Sequence, residues 1–587
     1  MGKINRLKVL IRDYGISTTL RMAKQKLLSS PRAQRKKVVA MIEASMKEDK
    51  LNSERNTHFE YEPIVSILVP LYNTDTDMLK CVIESVANQT YTNWELCLCD
   101  GSDEAHSLVG EVCGEYASKD KRIIYKKLAN NNGISENTNE CAKLSKGEYI
   151  GLVDHDDVLH PSALFEVVRA INEENADFIY TDEITFSGEI TNIISTNFKP
   201  DFSKDTLRAN NYICHFTVFS KELFEMVGGF DKKYDGSQDH DLFLKMTARA
   251  NKIKHVAKVL YFWRAHAGSV VEDISAKQYA IDAGINAVTD FLQSENIDVK
   301  VCSSDVYPTI YRIKYPLPVE AKISVIIPNR NHAEDLKRCV ESIKKSSYTN
   351  YEIIIVENNS NEAEIFAYYE ELKADNKIKI ITHNIPFNYS ELNNVGVKAS
   401  DGEFLLFLNN DTCAINEKWL EELLMFAARE DVGAVGARLF YENNTLQHAY
   451  LLTGVGEHRV AVHAGLGLAK DDYGYLDRIG FNQNVSAVTG ACLMVARDKF
   501  NKVGGFDEAL PVAYNDVDFC LKLRQAGFVN VYTPYATLYH YESTTRGKDD
   551  NKRLNSDAEY MHKKWGEFLR DPYYNDNFSL DRQYILR

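Results

Sequence analysis

Apolar and polar positions alternate along this chain in two rhythms. Ile64-Val65-Ser66-Ile67-Leu68-Val69-Pro70 is a near-continuous apolar run of strand length, and Leu79 to Ala87 repeats its apolar positions at helical spacing. Trp94–Cys99 and Tyr149–Val153 read as further buried strands. Strand, helix, strand in succession predicts βαβ units and a mostly parallel sheet. Residues 1–60 carry helical spacing at Leu7, Leu10 and Ile11 and again at Leu20, Met22, Ala23 and Leu27, with Ser30-Pro31 breaking the pattern.

The pattern then returns. Ile64–Asn73 (IVSILVPLYN) comes back as Ile323–Asn331 (ISVIIPNRN), and Asn93-Trp94-Glu95 as Asn350-Tyr351-Glu352. Asn139, Gly147 and Asp156 recur as Asn394, Gly402 and Asp411, all at an offset of 255. Gly228-Gly229-Phe230-Asp231 recurs as Gly504-Gly505-Phe506-Asp507, and Gln238-Asp239-His240-Asp241 as Asn515-Asp516-Val517-Asp518. A repeat of this length predicts two homologous domains. The reading is an arm over 1–60, domains over 61–300 and 320–547, a linker over 301–319 marked by Pro308, Pro316 and Pro318, and an extension over 548–587. The second copy is longer around Gln447–Gly467, where His448, His458 and His463 lie among glycines. That stretch reads as a flexible, acceptor-contacting loop rather than a zinc site.

Composition narrows the class. With 587 residues, 44% hydrophobic and 26% charged, the chain can bury several cores, and neither disorder nor a collagen-like repeat fits. It has no apolar run long enough to span a membrane and no secretory pattern. Eleven cysteines without a C-x-x-C pair read as reduced thiols. These features predict a cytoplasmic protein. Residues 1–50 hold thirteen Lys/Arg against four Asp/Glu, so the net charge of −15 is a basic arm on an acidic body. The acidic body argues against nucleic acid. The arm is a solvated helix packed on the body, a partner-binding helix, or a segment that docks on an anionic membrane surface, the last placing the protein peripherally on the inner face of the cell membrane.

Candidate chemistry sits at strand ends, where open α/β sheets bind ligands. One strand runs into Asp100-Gly101-Ser102-Asp103, another into Asp154-His155-Asp156-Asp157. Three acids in four residues repel unless a cation joins them, and a hard divalent ion that also bridges phosphates suits oxygen ligands. Asp239, at a predicted helix start, either favours the helix dipole or takes a proton from an incoming hydroxyl. His266 is a metal ligand or an ordinary loop histidine.

This arrangement resembles the family 2 glycosyltransferases over residues 61–547, with the motifs in order in both copies. The resemblance implies an α/β fold: two GT-A (nucleotide-diphospho-sugar transferase, Rossmann-like) domains in tandem behind the helical arm. It implies transfer of a sugar, with inversion, from a nucleotide-diphosphate donor to an acceptor hydroxyl, aided by Mn2+ or Mg2+. Carried over, Pro70 and Tyr72 border the nucleobase pocket and Asp100 binds the base. Asp154 lies near the ribose and forms the D-x-D motif with Asp156, which holds the metal, and Asp239 is the base. In the second copy Pro328, Glu357 and Asn409 take the nucleotide positions, Asp411 and His540 the metal positions, and Asp516 the base. Glu357 and Asn409 depart from the usual Asp, which leaves open a different donor, such as a deoxysugar of the rhamnosyl kind, or a copy that is structural or acceptor-binding. The implied setting is bacterial surface-polysaccharide assembly on a polyprenyl-diphosphate-linked glycan. A chondroitin- or hyaluronan-type tandem polymerase and a non-catalytic nucleotide- or sugar-binding scaffold are the rival readings.

Overall fold

The computed structural model describes residues 30–265, 278–541 and 550–587. The first half builds one sheet from β1 (Val65–Leu71), β2 (Trp94–Asp100), β3 (Ile123–Lys127), β4 (Tyr149–Leu152), β5 (Val158–Leu159), β6 (Phe178–Ser187), β7 (Glu189–Asn197), β8 (Thr217–Ser220) and β9 (Ile253–Arg264). A hairpin of β10 (Lys300–Ser303) and β11 (Tyr311–Lys314) follows. The second half adds β12 (Ile323–Asn329), β13 (Tyr351–Glu357), β14 (Ile378–Thr382), β15 (Phe404–Leu408), β16 (Thr412–Ala414), β17 (Val432–Phe440), β18 (Leu446–His448), β19 (Leu451–Thr453), β20 (Ala461–His463), β21 (Gln483–Val485), β22 (Cys492–Ala496) and β23 (Val529–His540).

The two sheets share one path. The first runs β3-β2-β1-β4-β8-β6-β9-β5 and the second β14-β13-β12-β15-β22-β17-β23-β16. Every residue of β1 and β2 is buried, which is why both read as mainly apolar runs, Ser66 and Glu95 being paired with each other inside. β1 pairs in parallel with β2 and β4, but β8 enters antiparallel to β4 and β6. The sheet is therefore mixed, where the βαβ rhythm predicted a mostly parallel one.

Several repeat landmarks are staples of the fold. Ser66 Oγ donates to Glu95 at 2.6 Å and Ser324 Oγ to Glu352 at 2.6 Å. Gly147 and Gly402 each donate a backbone N–H to that serine oxygen. A Cβ on Gly147 would come within 2.4 Å of the Ile64 carbonyl, so only glycine fits there. Asn139 brackets both backbone polar groups of Phe230, and Asn394 does the same to Phe506.

Other segments differ from the reading of the sequence. The stretch around Pro308 is the β10–β11 hairpin, because Tyr311 and Ile313 alternate inward and are buried. Ser30-Pro31 opens a helix: Ser30 caps Pro31–Ser45, with proline in the first turn where its missing N–H costs nothing, while the pattern before it lies outside the described residues. That helix buries Val38 and Ile42 and ties to the body through Arg35 on Ile194 O and Lys37 on Leu586 O. The Gln447–Gly467 insertion is not a flexible loop. β19 pairs antiparallel with β20, and Tyr450, Leu451, Leu452 and Val460 are buried.

Candidate active site

The carboxyl ends of β1 and β2 meet in a stapled turn. Asn73 N–H bonds Ser102 Oγ at 2.8 Å, and the Asn73 carboxamide accepts from Asp103 N at 3.1 Å. Asn331 repeats this with Ser360 at 2.7 Å and Asn361 at 2.8 Å. Both asparagines take positive φ, 50° and 55°, which asparagine tolerates better than most residues. Pro70 lies in β1 opposite Cys99, and Tyr72 just beyond it is half exposed. Pro328 holds the equivalent place in β12, opposite Val356.

Asp100 ends β2 fully buried. Burial alone would raise its pKa. Hydrogen bonds from Ser102 N (2.8 Å), Lys127 Nζ (2.9 Å) and Tyr125 OH (3.0 Å) outweigh it and hold the carboxyl below its usual range. Glu357 sits at the same register, accepting from Ser360 N (2.6 Å), Ser360 Oγ (2.7 Å) and Tyr369 OH (2.5 Å). The register position of Lys127 is Thr382 in the second sheet, so this Glu is held by neutral donors.

Beyond β4 the acidic string folds into a turn. Asp157 is fully buried, accepting from Tyr261 OH at 2.5 Å and Arg264 N at 2.7 Å. Burial, with the charges of Asp154 and Asp156 behind it, drives its pKa far up. Asp157 is thus the anchor of the turn, while Asp154 and Asp156 remain partly exposed. His215 Nε2 stands 3.5 Å from Asp154 Oδ2, its ring stacked on Tyr261 with centroids 4.8 Å apart. Asp239, in the first turn of the helix Gln238–Thr247, feels both groups. Burial pushes its pKa up to about 6, His215 opposing and Asp154 reinforcing the shift. Asp154, His215 and Asp239 therefore share one place. His266 lies outside the described residues.

The second half closes a continuous polar chain. Tyr369, which donates to Glu357, accepts from Asn329 Nδ2 at 2.8 Å, and Asn329 Oδ1 accepts from Asn410 at 2.7 Å. Asn409 Nδ2 lies 3.2 Å and Asp411 Oδ1 3.1 Å from His540 Nε2. The other ring nitrogen of His540, Nδ1, meets Gln447 Oε1 at 2.6 Å, which orients the ring with Nε2 toward Asn409 and Asp411. Asp516 Oδ2 accepts from Gly490 N at 2.9 Å, and Ala491 O accepts from Asn409 N at 3.1 Å. Glu357, Asn409, Asp411, His540 and Asp516 thus belong to one neighbourhood.

Strand register exposes an exchange between the halves. His540 pairs with Thr412 across β16 and β23, and the equivalent position of β9 is Trp263. His215 stands just before β8, where the second half has Ala491 before β22. Among the described residues each half thus sets a histidine, His215 or His540, against its acids from a different strand. His215 carries no motif, and the repeat hides it because its counterpart is alanine. Gln447, Tyr261 and Lys127 were equally silent in the sequence. His448 is buried with Nδ1 2.9 Å from His463 Nδ1, and His458 is not part of that pair, offering its carbonyl to His562.

The donor sets fit a hard divalent ion bound with substrate. Among the described residues no three acidic, histidine or cysteine side chains could by themselves hold a metal. The second half offers one carboxylate and one oriented imidazole, the first half paired carboxylates. Such sparse sets suit an ion that takes its remaining ligands from phosphates and water.

The family model described as Glycosyl transferase family 2 matches residues 66–228 and 324–504, one stretch in each sheet. The chain belongs to that family. Family 2 membership and the twin sheets agree with the α/β, tandem GT-A fold expected from the motifs. The chain is 39% identical over 542 residues to the uncharacterized protein y4gI of Sinorhizobium fredii, covering 90% of this chain and 59% of that one. It is 31% identical over 523 residues to the O-antigen biosynthesis protein RfbC of Myxococcus xanthus, covering 88% of this chain and 40% of that one. The family 2 chain therefore spans about half the length of these relatives. A solved structure of S. aureus TarS in complex with UDP-GlcNAc matches 39% of this chain and 66% of its own, with 17% identity and a TM-score of 0.33.

Proposed function

We propose that this chain is an inverting, metal-assisted glycosyltransferase with two sites, moving sugars from nucleotide-diphosphate donors to a growing bacterial cell-surface glycan. The observation that carries this reading is Asp239, a carboxylate with its pKa pushed up to about 6 by burial, set beside Asp154 and His215. A group so poised accepts a proton near neutral pH. Asp100, its charge stabilised by Lys127, takes the nucleobase, with Pro70 and Tyr72 along its edge. Asp154 faces the ribose. Asp156 in the first half, and Asp411 with His540 in the second, would hold Mn2+ or Mg2+. The bound ion would neutralise charge on the departing diphosphate. Asp239 draws the proton from the acceptor hydroxyl, which attacks the anomeric carbon from the face opposite the diphosphate. One displacement inverts the centre.

The second half repeats this plan with Pro328, Glu357, Asn409 and Asp516. Its neutral amide at Asn409 and its uncharged donors on Glu357 favour a different donor, of the deoxysugar kind. One observation favours a single active half instead: both oxygens of Asp516 already accept backbone N–H groups, from Gly490 and Val517. The similarity to RfbC, an O-antigen biosynthesis protein, supports a surface-glycan acceptor, in this reading polyprenyl-diphosphate-linked on the inner membrane face and approached by the basic residues 1–50. No described helix is long and apolar enough to cross a membrane.

The test is a nucleotide-sugar panel with Mn2+ and an EDTA control, reading released nucleoside diphosphate and the product's linkage. Asp239→Asn and Asp516→Asn should each abolish one linkage and spare the other. Loss of a single linkage in one variant and none in the other reduces the chain to one catalytic half. No release from any donor sinks the reading.

A further inference from the structure

A cavity of about 430 Å³ lies between the β19–β20 hairpin, the turn Tyr475–Gly480 and residues 581–584 of the C-terminal segment. That volume is within the range of small-ligand pockets. Its wall includes Val462 of β20, and the next residue, His463, turns the other way to meet His448. Alternation along a strand thus sets the cavity and the histidine pair on opposite faces of β20.

Arg478 lines this cavity and is only 6% exposed. Its one described hydrogen bond to the backbone is to Tyr573 O at 3.1 Å. Among the described residues no carboxylate forms an ion pair with it; its side-chain neighbours are the phenols of Tyr584, to which it is hydrogen-bonded, Tyr450 and Tyr475. The less buried Arg429 and Arg312 pair with acids, Asp205 at 2.5 Å and Glu422 at 2.5 Å, whereas the equally buried Arg438 reaches Lys470 O and does not line this cavity. The acid at the cavity mouth, Asp581, is already paired with Arg459. These phenols are neutral partners with further bonds of their own. Tyr450 OH bonds Tyr584 OH at 2.8 Å, and Tyr475 OH bonds Thr196 O at 2.9 Å. A buried guanidinium without an acid is costly, and an oxyanion entering the cavity removes that cost through bidentate, charge-assisted hydrogen bonds.

We propose that this cavity is a subsite for an anionic sugar, holding its carboxylate or phosphate on Arg478. As a subsite for the acceptor glycan it rests on the glycosyltransferase reading above; as an anion site it does not. The insertion that distinguishes the second half from the first then has a use. It adds a pocket for acceptor recognition behind the strand that bears His463.

Isothermal titration of the full chain with glucuronate, glucose 6-phosphate and glucose tests this, with UDP, GDP and dTDP titrated in parallel. At least one anionic sugar should bind ten-fold or more tighter than glucose, and which of the two binds identifies the oxyanion. Arg478→Gln and, independently, the cavity-filling Val462→Phe should each weaken that binding ten-fold or more, with nucleoside diphosphate affinity unchanged. Equal affinity for glucose, binding that survives Val462→Phe in a folded chain, or nucleoside diphosphate binding without any anionic-sugar binding would overturn the proposal. Anionic-sugar binding lost in Val462→Phe, with no nucleoside diphosphate bound and no donor turned over, upholds the cavity and removes only the transferase reading.

Discussion

Asp239 is a carboxylate whose environment works against its charge, and this sets its pH behaviour. Its folded pKa of about 6 lies above the ordinary carboxylate range, with burial as the main cause. The base is competent only when deprotonated, so transfer by the first half should fall about ten-fold per pH unit below about 6 and level off above it. Asp239→Asn should cost about 10²- to 10⁴-fold in that transfer. The melting temperature should hold or rise at neutral pH, because the substitution removes a buried charge that folding disfavours. A pH–rate profile and a thermal melt on the same variant check both. A lowered melting temperature would mean that the carboxylate is structural. Gln447 is the matching residue in the second half. It orients the His540 ring through Nδ1, and Gln447→Leu should weaken Mn2+ binding there about 10- to 100-fold, read by titration of the metal. The acids of both sites were legible in the sequence because their motifs recur in the same order, Asp156 and Asp411 at an offset of 255. Gln447 and His215 were not, since a lone polar residue beside a strand has no pattern and neither recurs in the other copy.

Elements, rather than motifs, decide where those acids point. Asp516 rides the helix Asn515–Gln525, and two residues on, the buried Asp518 receives Trp565 Nε1 at 2.8 Å and Lys564 Nζ at 2.7 Å. The helix Asp550–Trp565 thus fixes the rotation of the helix that carries the candidate base. Trp565→Phe keeps most of the buried ring and removes the N–H. It should lower stability by about 1–3 kcal/mol, the worth of a hydrogen bond to a charged group, by urea denaturation. In an Asp239→Asn background the same change should reduce whatever transfer the second half performs, without altering its donor. The central strands were readable as apolar runs because both their faces are buried. β8 escaped because it is four residues long and antiparallel, with only the six-residue helix Lys204–Ala209 between it and β7. The insertion was misread as mobile because its glycines looked like linker residues. Gly454, Gly456 and Gly465 instead adopt positive φ in the turns that let β19 and β20 fold back under a buried face.

The two halves also meet through charges taken out of water, and this junction sets their relative placement. Asp205, 2% exposed, receives Arg429 from the second half at 2.5 Å and Asn484 at 2.6 Å, while Arg429 also reaches Asp431 at 2.8 Å. Burial would raise both carboxyls. Arg429 outweighs it and holds Asp205 and Asp431 below their usual range. A depressed carboxylate stabilises the fold above its unfolded pKa of about 3.9, and that contribution is lost as pH falls through the lower folded value. Arg429→Met leaves Asp205 without its main counter-charge and should cost about 3 kcal/mol at pH 7, the usual penalty for breaking a buried pair from one side. Urea midpoints of wild type and variant should then converge as pH drops below about 4, because protonating Asp205 removes what the substitution had already removed. The C-terminal segment crosses the same junction. Asn575 Nδ2 reaches Asp182 in the first half at 3.0 Å, and Asp571 accepts from Ser486 in the second at 2.7 Å. If that segment, rather than the Asp205–Arg429 pair, holds the halves together, the variant's deficit will stay constant across pH.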